Sequence, residues 1–324
     1  MKYKDFQIEI QKDVFGEEKL YGNFMKKERE FVLNNNKDNF TSIDSKEVIG
    51  YFEKNGINWW QGKQPTGHTL SSQIACLNHL FGIRKNPDAV LALAQAICPS
   101  LDSVEILEND KKETQGYISF EVVSVIDHLN EKKGKNKKLT RGSQCTSIDA
   151  LILARKGNKR VLLVIEWKYV ESYGNTDKSK NTKDKKDGDH RLENYTGEKG
   201  VVENPCLIQN SIQLKNLKNY KGSVYFYEPF YQLMRQTLWA EQMIKNNSTE
   251  TIKADDYIHV HVVPKGNKEL LDKIYISDKN MEDTWRDYIK DTSKYVLISP
   301  DDLLAGLPKE YEDLKDSLYK RYWR

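Results

Sequence analysis

Glu166 and Lys168 stand two residues apart at the end of an apolar run, Val161-Leu162-Leu163-Val164-Ile165. Side chains alternate along a strand, so this spacing points a carboxylate and an ammonium to one side. Burying both is costly unless they pair with each other or bind a metal. Asp149 lies one tight turn upstream, across Arg155–Arg160 with Gly157-Asn158 at its centre. A hairpin centred there pairs residues whose numbers sum to about 315, which sets Asp149 opposite Glu166 on one face. Two carboxylates that close repel unless a divalent cation lies between them. Oxygen ligands suit Mg²⁺, with Mn²⁺ able to substitute, rather than zinc. The main-chain carbonyl of Trp167 is placed to add another oxygen. Lys168 is then placed to orient or deprotonate a metal-bound water and to offset charge on a phosphate. Glu121 is a fourth candidate, in an earlier β-rich segment. It either joins the metal site or lies on the solvated face of an outer strand.

Plainer readings compete. The pair Glu166 and Lys168 could be an internal salt bridge on an edge strand. The string (D/E)-x-K recurs at Glu17–Lys19, Asp44–Lys46, Glu131–Lys133 and Asp313–Lys315, always in polar surroundings. Asp149 alone reads as a strand-start cap, and only its register with Glu166 raises it. Gln232, Arg235 and Gln236 form a polar stripe on a helix. They reach a phosphate or the attacking water if that helix runs beside the strands, and face solvent otherwise. His259 and His261 read as hydrogen-bonded strand residues rather than ligands. The lysine-rich runs 132–138 and 178–186 are solvated loops, or grips for a DNA backbone with salt-sensitive affinity. Neither GxSxG nor GxxxxGK(S/T) occurs, so serine hydrolase and nucleotide hydrolase chemistry are not expected.

A sheet has to carry these residues. Gly116–Val125, Ser147–Ala154 and Val161–Val170 read as three strands of an antiparallel meander, with a hairpin-like loop at Glu131–Arg141. Thr69–Phe81 and Asp88–Ile97 precede them as packing helices, the second ended by Pro99. Residues 171–205 lack apolar periodicity and read as a mobile loop or insertion. Leu207–Leu217 reads as a short helix and Val224–Phe226 as an extended piece. Pro229–Lys245 is the strongest helical pattern in the chain. A strand at Tyr257–Val263, a helix near Met281–Ile289, a strand at Lys294–Ser299 and a short helix from Asp301 follow. Residues 1–67 read as an N-terminal helical arm, with helical patches at Phe24–Leu33 and Ser45–Lys54. Trp59 and Trp60 read as anchors of that arm on the core rather than as ligand contacts. The class expected is α/β or mixed α+β, a mixed central sheet between helices.

Composition adds limits. The 324 residues are 38% hydrophobic and 31% charged, with a net charge of +3. That balance marks no nucleic-acid partner by itself. Cys76, Cys98, Cys145 and Cys206 show no zinc-ligand spacing and read as reduced thiols. The first residues have no apolar signal-peptide core, and no window approaches a membrane span. A soluble, cytoplasmic protein that does not engage a membrane is expected.

Ile148-Asp149 and Glu166-Trp167-Lys168 resemble the signature of the PD-(D/E)XK nuclease superfamily, with isoleucine in place of proline. The element order resembles that superfamily's αβββαβ core over about residues 68–263. Leu70-Ser71-Ser72-Gln73 with Asn78 and Phe81, the Ile165–Tyr169 strand, and Tyr231-Gln232-Leu233-x-Arg235 resemble recurring pieces of bacterial restriction-endonuclease-like proteins. The resemblance implies a restriction-endonuclease-like domain at 68–324. It implies a divalent-metal-dependent phosphodiesterase that cleaves DNA. Asp149 and Glu166 match the metal ligands, Lys168 the catalytic lysine and Glu121 the extra acidic residue. Enzymes that cut both strands often act as dimers, so a homodimer is the expectation by analogy. The alternative is a catalytically silent member of the fold that binds nucleic acid or a partner protein.

Overall fold

The Gly157-Asn158 turn fixes the middle of the molecule. Gly157 adopts φ +57°, a left-handed conformation that costs glycine little. Lys156 pairs with Lys159 across it, and every pair of that hairpin sums to the expected register, as in Ala150 with Ile165. The protein is described by a computed structural model for residues 1–60, 62–132, 139–142, 145–183, 187–197, 207–275 and 278–324.

The chain opens with α1 (Tyr3–Phe15), a small ribbon of β1 (Asn23–Phe24) and β2 (Lys27–Glu28), then α2 (Ser45–Asn55), α3 (Ser72–Leu80) and α4 (Pro87–Ile97). Strands β3 (Ser103–Glu105), β4 (Ile118–Val122), β5 (Ile148–Lys156) and β6 (Lys159–Trp167) follow. Next come α5 (Asp187–Thr196), α6 (Phe230–Lys245) and β7 (Asp256–Val262). The C-terminal part holds α7 (Lys268–Leu271), α8 (Met281–Tyr288), β8 (Tyr295–Ile298), α9 (Pro300–Leu304) and α10 (Glu312–Leu318). The main sheet runs β3-β5-β6-β7-β8, with β4 also paired to β5. β5 is antiparallel to β3, β4 and β6, whereas β6–β7 and β7–β8 are parallel. This is a mixed α/β sheet with helices on both faces.

Alternation along β5 and β6 divides the core. Ile152, Leu163 and Ile165 pack with Ile74 and Leu77 of α3 and Val90 and Leu93 of α4. Leu151, Leu153, Leu162 and Val164 pack with Leu233, Met234 and Leu238 of α6. α3 starts at Ser72, after the expected Thr69, and α4 at Pro87, one residue before the expected Asp88. Ser71 caps α3 by accepting from the Ile74 N–H, and Asn86 caps α4 with Pro87 in its first turn. Val48, Tyr51 and Phe52 of α2 belong to the same cluster as Leu163. No described helix is long and apolar enough to cross a membrane.

Several expectations fail for identifiable reasons. Phe24–Leu33 is not helical; the β1–β2 ribbon turns at Met25 and Lys26, both at positive φ. α1 escapes the apolar pattern because its buried face includes Gln7 and Gln11, which bond Tyr169 and Arg321 instead of packing as hydrophobes. Leu207–Leu217 holds only a single 3₁₀ turn at Ile208–Asn210. Ser211 and Glu241 take the N–H groups of Gln213 and Leu214 that a helix would use. Val224–Phe226 is a 3₁₀ turn rather than extended. β4 and β5 are joined by the long stretch 123–147, not by a hairpin, and residues 133–138 and 143–144 of it lie outside the described residues. The insertion at 171–205 contains α5 and packs Tyr173 onto α6, while 184–186 and 198–205 lie outside the described residues. Most of the lysine run 132–138 and part of 178–186 lie outside them too.

Candidate active site

Two ladders and a parallel pair set one row of polar groups across the sheet. The β4–β5 register steps from Phe120↔Ala150 to Val122↔Ile148, which leaves Glu121 beside Asp149. The β5–β6 register ends at Ala150↔Ile165, so its next step brings Asp149 to Glu166. Glu166 in turn pairs with His261 of β7. Glu121, Asp149, Glu166 and His261 therefore lie at one level on four strands. Asp149 Oδ2 accepts the Trp167 main-chain N–H at 2.8 Å.

Glu121 reaches this row by an unusual backbone. Its φ is +50°, a region costly for a side chain with a Cβ. The surroundings hold it there. Gln73 Nε2 of α3 donates to Glu121 Oε1 at 2.6 Å, and Arg141 Nε donates to the Glu121 carbonyl at 3.2 Å. Arg141 is itself locked to Asp110 at 2.7 Å, and Arg84 reaches the other oxygen of Asp110 at 3.4 Å. Both arginines are almost fully enclosed, so the pairs must stay intact to be tolerated.

Glu166 and Lys168 are 2% and 3% exposed and form an ion pair. The strand that carries them is interior, not an edge. Lys168 Nζ also donates to Gln232 Oε1 at 2.7 Å, and Tyr173 donates its hydroxyl to the same oxygen at 3.1 Å. Gln236 Nε2 donates to Glu166 Oε2, and Gln236 Oε1 bonds His259 Nε2 at 2.8 Å. Gln232 and Gln236 are one turn apart on α6, so both face the row. Arg235 does not join them. It turns to Glu131 at 2.8 Å and to Thr146 at 3.0 Å, fastening the 123–147 stretch to α6. Trp167 buries its indole beside His79, at 4.8 Å between ring centres. Asp149 is the least enclosed residue of the row, although its carboxyl is buried. A cavity of about 10 Å³ between Gln73, Cys76, Glu121 and Asp149 is the size of one water.

The charges are unbalanced. Burial, then the carboxylates of Glu166 and Glu121, push the Asp149 carboxyl well above the usual range. Burial and Glu166 raise Glu121 as well. Burial alone would pull Lys168 down, but Glu166, with Tyr173, Glu171 and Asp149, holds it well above its ordinary value. Lys168 is thus an ammonium at neutral pH. That charge suits stabilising and orienting work. Burial keeps His259 neutral, at about 3, and burial with Lys168 and His259 lowers His261.

Can this set hold a divalent cation? Among the described residues no three His, Cys, Asp or Glu side chains form a ready ligand cluster. Mg²⁺ needs fewer, since it keeps waters and uses one or two carboxylates with substrate oxygens. Asp149 and Glu166 are such a pair of hard oxygen donors, with Glu121 next in the row. Three carboxylates share one ammonium; Glu166 and Glu121 raise the proton affinity of Asp149, and Glu166 raises that of Glu121. A cation of oxygen preference fits that donor set. The surrounding residues Gln73, Arg141 and Tyr173 carried no chemical signal in the sequence, apart from the place of Gln73 in the α3 segment.

No curated protein and no solved structure matches the chain. A family model described as "Restriction Endonuclease associating with ARP" matches residues 6–323, nearly the full length, and the chain belongs to that restriction-endonuclease-like family.

Proposed function

We propose that the protein is a divalent-cation-dependent deoxyribonuclease of the PD-(D/E)XK kind. The supporting observation is the level row of Glu121, Asp149 and Glu166, with Lys168 just past the end of the strand of Glu166 and the carboxylates outnumbering it. Asp149 and Glu166 would hold Mg²⁺, or Mn²⁺ in its place. Bound there, the ion would polarise the phosphate and make a water more acidic. Asp149, tied to the Trp167 N–H, presents an oxygen of fixed direction. Glu166 is held by Lys168 and Gln236. The Lys168 ammonium offsets charge that builds on the phosphate oxygens, and Gln232 fixes its position. Glu121 tunes the charge of the row or adds a ligand oxygen. DNA is the substrate this reading expects, as the family description suggests.

Cleavage of plasmid and linear DNA with Mg²⁺ or Mn²⁺ tests it, beside Lys168→Ala and Asp149→Asn. Metal-dependent nicking that persists in both variants would sink the assignment. One observation favours a second reading: Lys168 and Glu166 already satisfy each other. A silent member of the fold would bind nucleic acid without binding metal. Calorimetry with Mg²⁺ separates the two.

A further inference from the structure

The two adjacent tryptophans part company. Trp59 is 4% exposed and stacks on Phe52, with ring centres 3.8 Å apart and planes at 10°. It is the anchor the sequence suggested. Trp60 is 48% exposed. It sits on a tight turn closed by the Trp59↔Gly62 bridge. Phe24 backs its indole at 5.7 Å, and His68 lies edge-on at 6.4 Å and packs in turn on Phe24 at 4.6 Å. The result is a braced aromatic platform on the surface. Met25, 68% exposed, stands beside Phe24 at the tip of the β1–β2 ribbon.

This platform is tied to the carboxylate row twice. The Trp60 main-chain N–H donates to Gln73 Oε1 at 3.2 Å, and Gln73 Nε2 donates to Glu121 Oε1 at 2.6 Å. The Asn58 N–H donates to the Arg141 carbonyl at 3.0 Å, and Arg141 Nε donates to the Glu121 carbonyl at 3.2 Å. Two hydrogen bonds therefore link the Trp60 main chain to the Glu121 carboxylate through Gln73. The ribbon under the platform is basic. Lys26, Lys27 and Arg29 are exposed there and outnumber Glu28, while Glu30 is taken by Lys12 at 3.1 Å.

We propose that Trp60 is a stacking platform for an unpaired base of the DNA strand held at the carboxylate row. An indole held by Phe24 and His68 and 48% exposed offers aromatic surface on which a base can stack. Cations beside it suit the backbone phosphates. A base inside a duplex has both faces covered by its neighbours, so only an unpaired or extruded base fits. This rests on the nuclease reading above and narrows its substrate to DNA with an unpaired nucleotide at the cut site.

The test is binding in EDTA, where cleavage cannot interfere. The full chain is titrated with a short single-stranded oligodeoxynucleotide and with its blunt duplex. Affinity is read by anisotropy of the labelled DNA, and stacking by tryptophan emission. The single strand should bind more tightly than the duplex and quench part of the emission. Trp60→Ala should weaken single-strand binding by about 5- to 100-fold and abolish the quenching, while Trp60→Phe retains most of the affinity. A melting temperature close to that of the unaltered protein would show that Trp60→Ala remains folded. Equal binding by Trp60→Ala, or a preference for duplex, overturns the platform and leaves the nuclease reading standing. If the unaltered protein binds neither DNA in EDTA nor in Mg²⁺, both fall.

Discussion

Asp149 is fastened to the neighbouring strand by a 2.8 Å bond from the Trp167 N–H to its Oδ2, one residue from Glu166 and one from Lys168. The carboxylate therefore cannot turn away from the like charges that raise its proton affinity. Geometry is kept at the expense of electrostatics.

Asp149→Asn separates those two roles. The amide oxygen can still accept the Trp167 N–H, and the surplus charge is gone. In EDTA the melting temperature should stay level or rise by a few degrees. Cleavage with Mg²⁺ should fall by about 100-fold or more. A sharp loss of stability with activity retained would make Asp149 a structural cap.

Lys168 and Glu166 should differ although they pair. Removing Lys168 leaves three carboxylates with no ammonium, whereas removing the charge of Glu166 leaves Lys168 beside Asp149 and bonded to Gln232. Lys168→Ala should cost about 3 kcal/mol, and Glu166→Gln no more than about 1 kcal/mol, by urea denaturation in EDTA. Equal and large losses would mean that the two residues form a simple structural pair.

How legible was this in the sequence? The register of Asp149 against Glu166 was, because a two-residue Gly-Asn turn leaves one hairpin pairing. The burial of β6 was, because a run of β-branched and leucine residues fits an interior strand. The place of Glu121 was not. It depends on a positive-φ residue and on Arg141, which returns to β4 only after a long, irregular stretch. The turning of Arg235 to Glu131 was equally hidden, since their pairing spans distant segments. Gln7 and Gln11 hid α1, because buried glutamines look like surface in a one-dimensional pattern.

His79 gives a pH signature unrelated to the row. Its Nδ1 faces the Ala75 carbonyl at 2.7 Å, and its Nε2 accepts the Trp323 indole N–H at 3.0 Å, so only the neutral ring fits. Burial holds it at about 3, below the ordinary 6.5. A depressed value means stability that is present above pH 6.5 and lost as pH falls toward 3. His79→Asn keeps the donor to Ala75 and loses the acceptor, so it should be less stable by about 1 kcal/mol at pH 7. Below pH 6.5 the unaltered protein should lose about 1.4 kcal/mol per pH unit relative to the variant. The gap should close and reverse by pH 5. A gap independent of pH would show that His79 is not held neutral.

The row predicts the opposite sign. Asp149 and Glu121 are raised, so their contribution to stability is full below their ordinary values and is lost as pH climbs through the raised ones. In EDTA this part of the stability should decline from acid toward neutral pH. A divalent cation binds the ionised carboxylates, so it must displace the protons that the crowded row retains. Mg²⁺ should therefore raise the melting temperature more at pH 8 than at pH 6. Titration calorimetry in two buffers of different ionisation enthalpy should show proton release on binding. Both effects should vanish in Asp149→Asn. A melting temperature indifferent to Mg²⁺ at every pH would remove the cation from the site, leaving the row as a charge cluster that Lys168 alone moderates.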